Sequence, residues 1–298
     1  MQLGFVGLGK MGGNMVERLL RGGHQVTVFN RNQEPVKRAV SLGAVAAASL
    51  RDLVAKLPPR RAIWVMVPSG GATDQVVNDL GKLLSPNDVL VDGGNSHYTA
   101  SKGRATALKA RGVHFLDIGT SGGIWGLKEG YCQMIGGDPD AFRFVEPAVK
   151  TLAPENGYLH VGTSGAGHYV KMVHNGIEYG MMEAYAEGFE ILKSNSYGLD
   201  LAAIAELWRH SSVVRSWLLD LAASALKREP DLASVPPFVV DTGEGRWTVQ
   251  EAVELGVPAP AISAALYARF ASRKNDAFGL KLLAALRNEF GGHGTGVK

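Results

Sequence analysis

The first half of the chain alternates between short apolar runs and longer amphipathic stretches. Residues 2–7 (QLGFVG) read as a buried strand, followed by a helical pattern to about residue 22 with apolar Met15, Val16, Leu19 and Leu20. A second strand spans 25–29. Further strand-like runs fall at 62–67, 89–91, 113–118, 132–135 and 158–161. Helical patterns at 34–42, 50–57, 72–84, 99–111 and 140–152 separate them. Strands that alternate with helices predict a doubly wound, mostly parallel sheet covered on both faces. After residue 161 the period becomes helical throughout: 165–193, 200–211, 214–227, 248–256, 260–272 and 276–289. The expected fold is therefore an α/β Rossmann-like domain over residues 1–163 followed by an all-α domain over 164–298. The last residues, Gly291-Gly292-His293-Gly294-Thr295-Gly296, are too glycine-rich for a helix.

The first turn carries chemistry. Gly7-Leu8-Gly9-Lys10-Met11-Gly12 lies between a strand and a helix, with a second strand at the distance of a βαβ unit. In this pattern the first glycine makes the tight turn, the second lets backbone approach a pyrophosphate, and the third lets helix pack on strand. Gly7, Leu8, Gly9, Met11 and Gly12 are thus expected at a nicotinamide dinucleotide. The second strand ends in Asn30-Arg31-Asn32, where NAD sites usually place an acid. Arg31 can pair with a 2′-phosphate and Asn30 can donate a hydrogen bond, so NADP is expected, with NAD as the alternative. Val67-Pro68 and Asp92-Gly93-Gly94-Asn95-Ser96 end two further strands. Ligands in such sheets sit beyond the carboxyl ends of strands, which makes Val67, Pro68 and Asn95 cleft residues.

The segment 165–193 holds the reactive groups. On a helical wheel of about 100° per residue, Asn175 and Glu178 lie within roughly 40° of Lys171, and His174 about 60° to the other side. A base, an acid, an amide and an imidazole therefore share one face. Tyr179 points about 80° off. Lys171, Glu178, Asn175 and His174 form the candidate catalytic set. The bland alternatives are a surface charge pair for Lys171 and Glu178, a structural histidine for His174 and a core aromatic for Tyr179.

Composition narrows the classes. The 298 residues are 46% hydrophobic and 20% charged, with a net charge of +3. That suits an anionic ligand, and no dense basic stripe with aromatics points to nucleic acid. The single cysteine, Cys132, excludes an internal disulfide and a cysteine metal cluster, and fits a reducing, cytoplasmic setting. No apolar run reaches the roughly 18 residues of a membrane span. No metal site is expected.

Three segments together resemble 6-phosphogluconate dehydrogenase: Asp92-Gly93-Gly94-Asn95-Ser96, Ser121-Gly122-Gly123, and the run Lys171-Met172-Val173-His174-Asn175-Gly176-Ile177-Glu178-Tyr179-Gly180. Later motifs agree, at 243–248, 268–270 and 287–293. The chain resembles the family's short form, and its loop 120–131 and Arg246 depart from the long form. The resemblance implies oxidative decarboxylation of a phosphorylated sugar acid, with Lys171 as base at the C3 hydroxyl and Glu178 as acid at C1. It implies substrate contacts from Asn95, Ser121, Gly122 and Gly123, and phosphate contacts from Tyr179, Arg246, Arg269, Arg287 and His293. It also implies a homodimer or homotetramer, with the C-terminal tail completing a neighbour's site. Two other readings stand beside it: a β-hydroxyacid dehydrogenase acting on a small acid, and a non-catalytic NADP(H)-binding sensor.

Overall fold

The computed structural model describes residues 1–274 and 276–291, except the side chains at 284, 287, 288, 290 and 291. The chain forms two compact units, Met1–His174 and Asn175–Lys298.

The first unit is built on one eight-stranded sheet. Its strands are β1 (Gln2–Val6), β2 (Gln25–Phe29), β3 (Val45–Ala46), β4 (Ala62–Val65), β5 (Val89–Asp92), β6 (His114–Ser121), β7 (Cys132–Gly137) and β8 (Tyr158–Gly162), in the order β3-β2-β1-β4-β5-β6-β7-β8. Every neighbouring pair is parallel except β6 and β7. The strand order reverses between β1 and β4, which opens the ligand crevice of this architecture beside the first turn. Strands β4 and β5 are buried along their whole length, as continuous apolar runs require when helices cover both faces.

The helices of this unit are α1 (Lys10–Arg21), α2 (Gln33–Ser41), α3 (Leu50–Ala55), α4 (Gly71–Leu83), α5 (Tyr98–Lys109), α6 (Gly126–Glu129) and α7 (Pro139–Leu152). Their starts follow local chemistry. The side chains of Asn32, Ser49 and Asp138 accept first-turn N–H groups of α2, α3 and α7. Two apolar cores result. One packs Phe5, Met15, Trp64, Ile118 and Val149 together, and the other gathers Leu53, Ile63, Leu80, Leu90 and Phe115.

Helix α8 (Ala166–Ser194) begins in the first unit and runs on into the second. The second unit continues with α9 (Leu201–Trp208), α10 (Trp217–Arg228), α11 (Glu244–Glu254), α12 (Pro260–Ala271) and α13 (Phe278–Gly291). No helix among the described residues is long and apolar enough to cross a membrane. The fold class matches the pattern of the sequence. Three details differ. The two-residue edge strand β3 falls in the short alanine-rich stretch 44–48, where no strand is expected. The loop after Ser121 folds into a 3-10 turn (Gly123–Trp125) and α6. Helix α11 starts four residues before the expected 248. Gly245, which reads as a breaker, lies inside it because a Cβ there would come 2.4 Å from Tyr179 Cε2. Its missing side chain makes room for a ring.

Candidate active site

The first turn is held from within. Gly7 has φ +96°, and a Cβ on it would meet the Met66 carbonyl oxygen at 2.3 Å. A Cβ on Gly12 would meet the Gly7 carbonyl oxygen at 2.1 Å. The protein itself therefore demands both glycines. Gly9 is different: its missing Cβ faces no atom within 4 Å, and the residue is exposed at the start of α1. Open space above a helix N-terminus at the crevice is what a pyrophosphate needs. The residues present thus fit a nicotinamide dinucleotide. Asn30 is occupied in shaping this turn. Its Oδ1 accepts the Leu8 N–H at 3.0 Å, and its amide donates to the Asn32 carbonyl at 2.8 Å. Arg31 is exposed, with no ion-pair or hydrogen-bond partner among the described residues. The nearest acid in sequence, Glu34, pairs with Lys37. Met11 is half-buried beside the turn, and Val67 and Pro68 lie at the end of β4.

Asn95 is exposed at the end of β5, in a loop tied to Asp92. The Asp92 carboxylate accepts the Gly94 N–H at 3.1 Å and the Ser96 hydroxyl at 2.8 Å. Ser121 ends β6 and stands opposite Cys132 of β7 in the antiparallel register. Gly122 and Gly123 follow, both with positive φ. Arg18 of α1 secures the loop beyond them, donating to the Leu127 carbonyl at 3.1 Å and the Thr151 carbonyl at 2.8 Å. The Asn14 amide donates to Ile124 O at 3.3 Å.

Lys171 is seated by sheet glycines. A Cβ on Gly119 of β6 would lie 2.3 Å from Lys171 Cβ, so the lysine stem runs directly over that glycine. Gly167, one turn earlier, would clash with the carbonyl oxygens of Asp117 and Met134 at 2.2 and 2.5 Å. Helix α8 thus lies directly on β6 and β7, and Lys171 is only 6% exposed. Asp117, wholly buried in β6, holds the helix start. Its two oxygens accept the N–H groups of Gly165 at 2.6 Å and His168 at 2.9 Å. Burial pushes this carboxyl up, while the charge of His168 and the two N–H bonds pull it back. The His168 ring meets the Ser101 hydroxyl at 2.7 Å. At the business end, Lys171 Nζ is 3.3 Å from His174 Nδ1. Two of the four residues that share one face of the helical wheel are thus in hydrogen-bond reach.

In the second unit, Asn175 and Glu178 continue along α8, both half-buried. Seven residues of helix separate Lys171 from Glu178, about 10 Å along the axis. Tyr179 is buried, and the Arg269 guanidinium lies 3.4 Å from its ring centroid. Arg269 also donates to the Val240 carbonyl at 3.0 Å. Arg246 stacks on Phe270 and donates to Asp241, a carboxylate with a fully buried side chain. Asp241 is held below the usual carboxylate range. Burial pushes it up, but the hydrogen bonds from Arg246 and the Gly243 N–H and the charges of Arg246 and Arg273 outweigh that. The candidate phosphate residues Tyr179, Arg246 and Arg269 therefore gather around Phe270 and Asp241. The Arg287 side chain and His293 lie outside the described residues.

Sequence reasoning missed Asp92, Asp117, Gly119 and Asp241. A signal existed for the first two: each is a lone acid at or inside an apolar strand, and burial without partners would be costly. Asp241 precedes Thr242-Gly243, an Asx-turn pattern. Nothing in the sequence singles out Gly119. Among the described residues, no three His, Cys, Asp or Glu side chains group so as to hold a metal ion.

Residues 2–162 match the NAD binding domain of 6-phosphogluconate dehydrogenase, and residues 167–283 match the 6-phosphogluconate dehydrogenase C-terminal domain. An NAD(+)-dependent, decarboxylating 6-phosphogluconate dehydrogenase of Haloferax volcanii is 46% identical over 295 residues, covering 98% of each chain. A Plasmodium falciparum 6-phosphogluconate dehydrogenase, solved in its apo form and with NADP+ and 6-phosphogluconate, superposes with a TM-score of 0.84 at 29% identity. That match covers 98% of this chain and 65% of the longer Plasmodium chain. A 3-hydroxyisobutyrate dehydrogenase of Salmonella typhimurium shares the fold, with a TM-score of 0.76 at 24% identity over 90% of this chain and 92% of its own. With both domain matches in order and a full-length relative at this identity, the chain belongs to the 6-phosphogluconate dehydrogenase family.

Proposed function

We propose that the protein oxidises and decarboxylates 6-phospho-D-gluconate to D-ribulose 5-phosphate and CO2, with NADP as hydride acceptor. Residues 1–163 hold the dinucleotide in this reading, and residues 164–298 hold most of the sugar acid. The observation that carries it is Lys171: a buried lysine, seated on Gly119, with its Nζ beside His174.

The chemistry asks for a base, a polarising group and an acid. Lys171 in its neutral form takes the C3 hydroxyl proton as hydride leaves C3. The dinucleotide supplies the hydride acceptor. The resulting ammonium then polarises the C3 carbonyl of the β-keto acid, so that the carboxylate leaves as CO2 and an enediol remains. As CO2 leaves, Lys171 returns its proton to the C3 oxygen to give the enediol; it then takes that hydroxyl proton again while Glu178 delivers one to C1, and transfer of a proton from Lys171 to Glu178 resets both groups. Asn175 and His174 orient the reacting oxygens, and Asn95, Ser121, Gly122 and Gly123 hold the substrate. Tyr179, Arg246 and Arg269 receive the phosphate.

The NADP assignment is supported by Arg31, exposed and unpaired at the end of β2 with no acid beside it. The NAD(+) dependence of the Haloferax relative favours NAD as the second reading. A dimer completed by Arg287 and His293 of a neighbour is part of the proposal. It is supported by the exposed Leu280, Leu283 and Leu286, which recur every three residues along α13. Mixing Lys171→Ala and Arg287→Ala subunits then restores partial activity. No recovery would place Arg287 in its own subunit's site. A cytoplasmic setting suits a chain whose single cysteine is the exposed Cys132.

The deciding experiment measures reduced dinucleotide and CO2 from 6-phosphogluconate, with NADP and with NAD, beside 3-hydroxyisobutyrate. Turnover confined to the small acid would overturn the substrate. Arg31→Ala should raise KM for NADP at least tenfold and leave NAD nearly unchanged. Equal effects on both would overturn the 2′-phosphate role.

A further inference from the structure

Arg104 of α5 is 7% exposed and belongs to none of the motifs read from the sequence. Its guanidinium joins two loops at the carboxyl ends of β4 and β5. On one side, Nε and Nη2 donate to Asp74 Oδ1 at 3.0 and 2.8 Å. Asp74 lies in the first turn of α4, immediately after the 67–70 loop. Its neighbour Thr73 fastens that loop by donating to the Pro68 carbonyl at 2.9 Å. On the other side, Nη1 donates to Asp92 Oδ2 at 2.8 Å and Ser96 Oγ at 3.0 Å. Asp92 and Ser96 bracket Gly93-Gly94-Asn95. The loops also touch directly, since a Cβ on Gly94 would sit 3.1 Å from the Val67 carbonyl oxygen.

A guanidinium is planar and always charged, and its donors form a fixed fork. Buried between two carboxylates, it sets the spacing of whatever they hold. Here it holds the 67–70 loop and the loop that carries Asn95. Asn95 itself is exposed, so the residues around it determine where it stands.

We infer that Arg104 is a positioning residue that locks the two cleft loops into one frame and thereby fixes Asn95 for the reaction. The inference rests on the role given to Asn95 under Proposed function. A lysine at 104 keeps the charge but loses the fork, and it cannot span both carboxylates with the same geometry. A loop displaced by about 1 Å costs about 100-fold in rate.

The test is a double-mutant cycle of Arg104→Lys and Asn95→Ala, read in kcat/KM for 6-phosphogluconate and, separately, in NADPH affinity by fluorescence titration. Arg104→Lys is expected to lower kcat/KM by about 100-fold. The double variant is expected to be no slower than Asn95→Ala alone, because Arg104 acts through Asn95. Losses that multiply would overturn the inference and leave Arg104 a stabilising residue only. If Arg104→Lys does not fold, Asp74→Asn enters the same cycle, since it opens the network at its solvent-facing end. A wild-type protein without activity on 6-phosphogluconate would remove the functional reading instead. The cycle is then decided by NADPH affinity, where coupling upholds the frame and multiplying losses overturn it.

Discussion

Gly119→Ala tests whether the seat of Lys171 sets the rate. The added methyl would lie 2.3 Å from Lys171 Cβ, 2.8 Å from the Gly167 carbonyl oxygen and 3.0 Å from Lys171 Cγ. None of these atoms is the free end of a flexible chain. Carbon pairs rest at about 3.5–4.0 Å, so helix α8 must retreat from β6 by about 1.2 Å or more. That retreat also strains the bonds from Asp117 to the Gly165 and His168 N–H groups. Overpacking of this kind costs about 1–3 kcal/mol of stability, and a base displaced by about 1 Å costs about 100-fold in rate. The assay is steady-state formation of reduced dinucleotide from 6-phosphogluconate, with dinucleotide affinity measured separately. The variant should lose about 100-fold in kcat while its dinucleotide affinity stays within about twofold, because the glycine turn belongs to β1 and α1. Gly188→Ala is the control. It lies on the same helix with nothing within 4 Å of the missing Cβ, and alanine there should stabilise by about 0.5–1 kcal/mol. A folded Gly119→Ala protein with wild-type kcat would refute the reasoning.

The other predictions use the same geometry. Gly9→Ala should fold with an apo stability lowered by no more than about 1 kcal/mol, the helix-capping difference, and bind dinucleotide at least tenfold more weakly. Gly12→Ala should lose stability as well, since its methyl meets the Gly7 carbonyl at 2.1 Å. Normal fluorescence titration of Gly9→Ala with NADPH would refute the pyrophosphate assignment. The Tyr131 hydroxyl is buried without a partner, and burial pushes the phenol up to about 12 against the opposing charge of Arg18. Its folded form therefore stays protonated where the unfolded chain ionises. This contribution is full below pH 10.0 and is lost as pH rises towards about 12. Tyr131→Phe should stabilise by about 1 kcal/mol and flatten that alkaline loss in urea titrations at pH 8 and pH 11; an equally steep loss would exclude Tyr131 as its source. For Asp241 the sign is opposite. Its depressed carboxyl adds stability that is present above the ordinary value of 3.8 and lost as pH falls through the lower folded value. Asp241→Asn should flatten acid unfolding below that pH, and an unchanged acid limb would show that Arg246 gains nothing from the pair.

The parts of this fold that could be read from the sequence are those where local pattern and tertiary demand coincide. Strands β4 and β5 are buried at every position and apolar at all but the last, Asp92. The first turn announces itself because Gly7 and Gly12 are required by backbone atoms close in sequence or one strand away. The wheel over α8 puts Lys171 and His174 on one face, and their nitrogens lie 3.3 Å apart, because both stand on one helix. The misses share a different cause. Strand β3 is two residues long, too short to carry a period of its own, and is defined by its pairing with β2. Glycine 245 reads as a breaker until the Tyr179 ring, 66 positions earlier, is seen filling its empty side. Asp117 reads as an oddity in an apolar strand until the start of α8 supplies its donors from 48 and 51 residues away.

Glycine makes the point sharpest, because one residue type serves three purposes here. At position 12 it yields to backbone, at position 119 to the lysine of another element, and at position 9 to nothing in the protein. The first two are packing requirements, and substituting them disturbs the fold itself. A glycine with open space around it, at a helix start in the crevice of a doubly wound sheet, has no packing reason to lack a side chain. The open space leaves room for a ligand, and among groups that suit free N–H donors and a positive helix end, a phosphate is the natural one. Gly119 makes room for the Lys171 stem and the Gly167 carbonyl together, so a side chain there would shift the lysine and the helix that carries it.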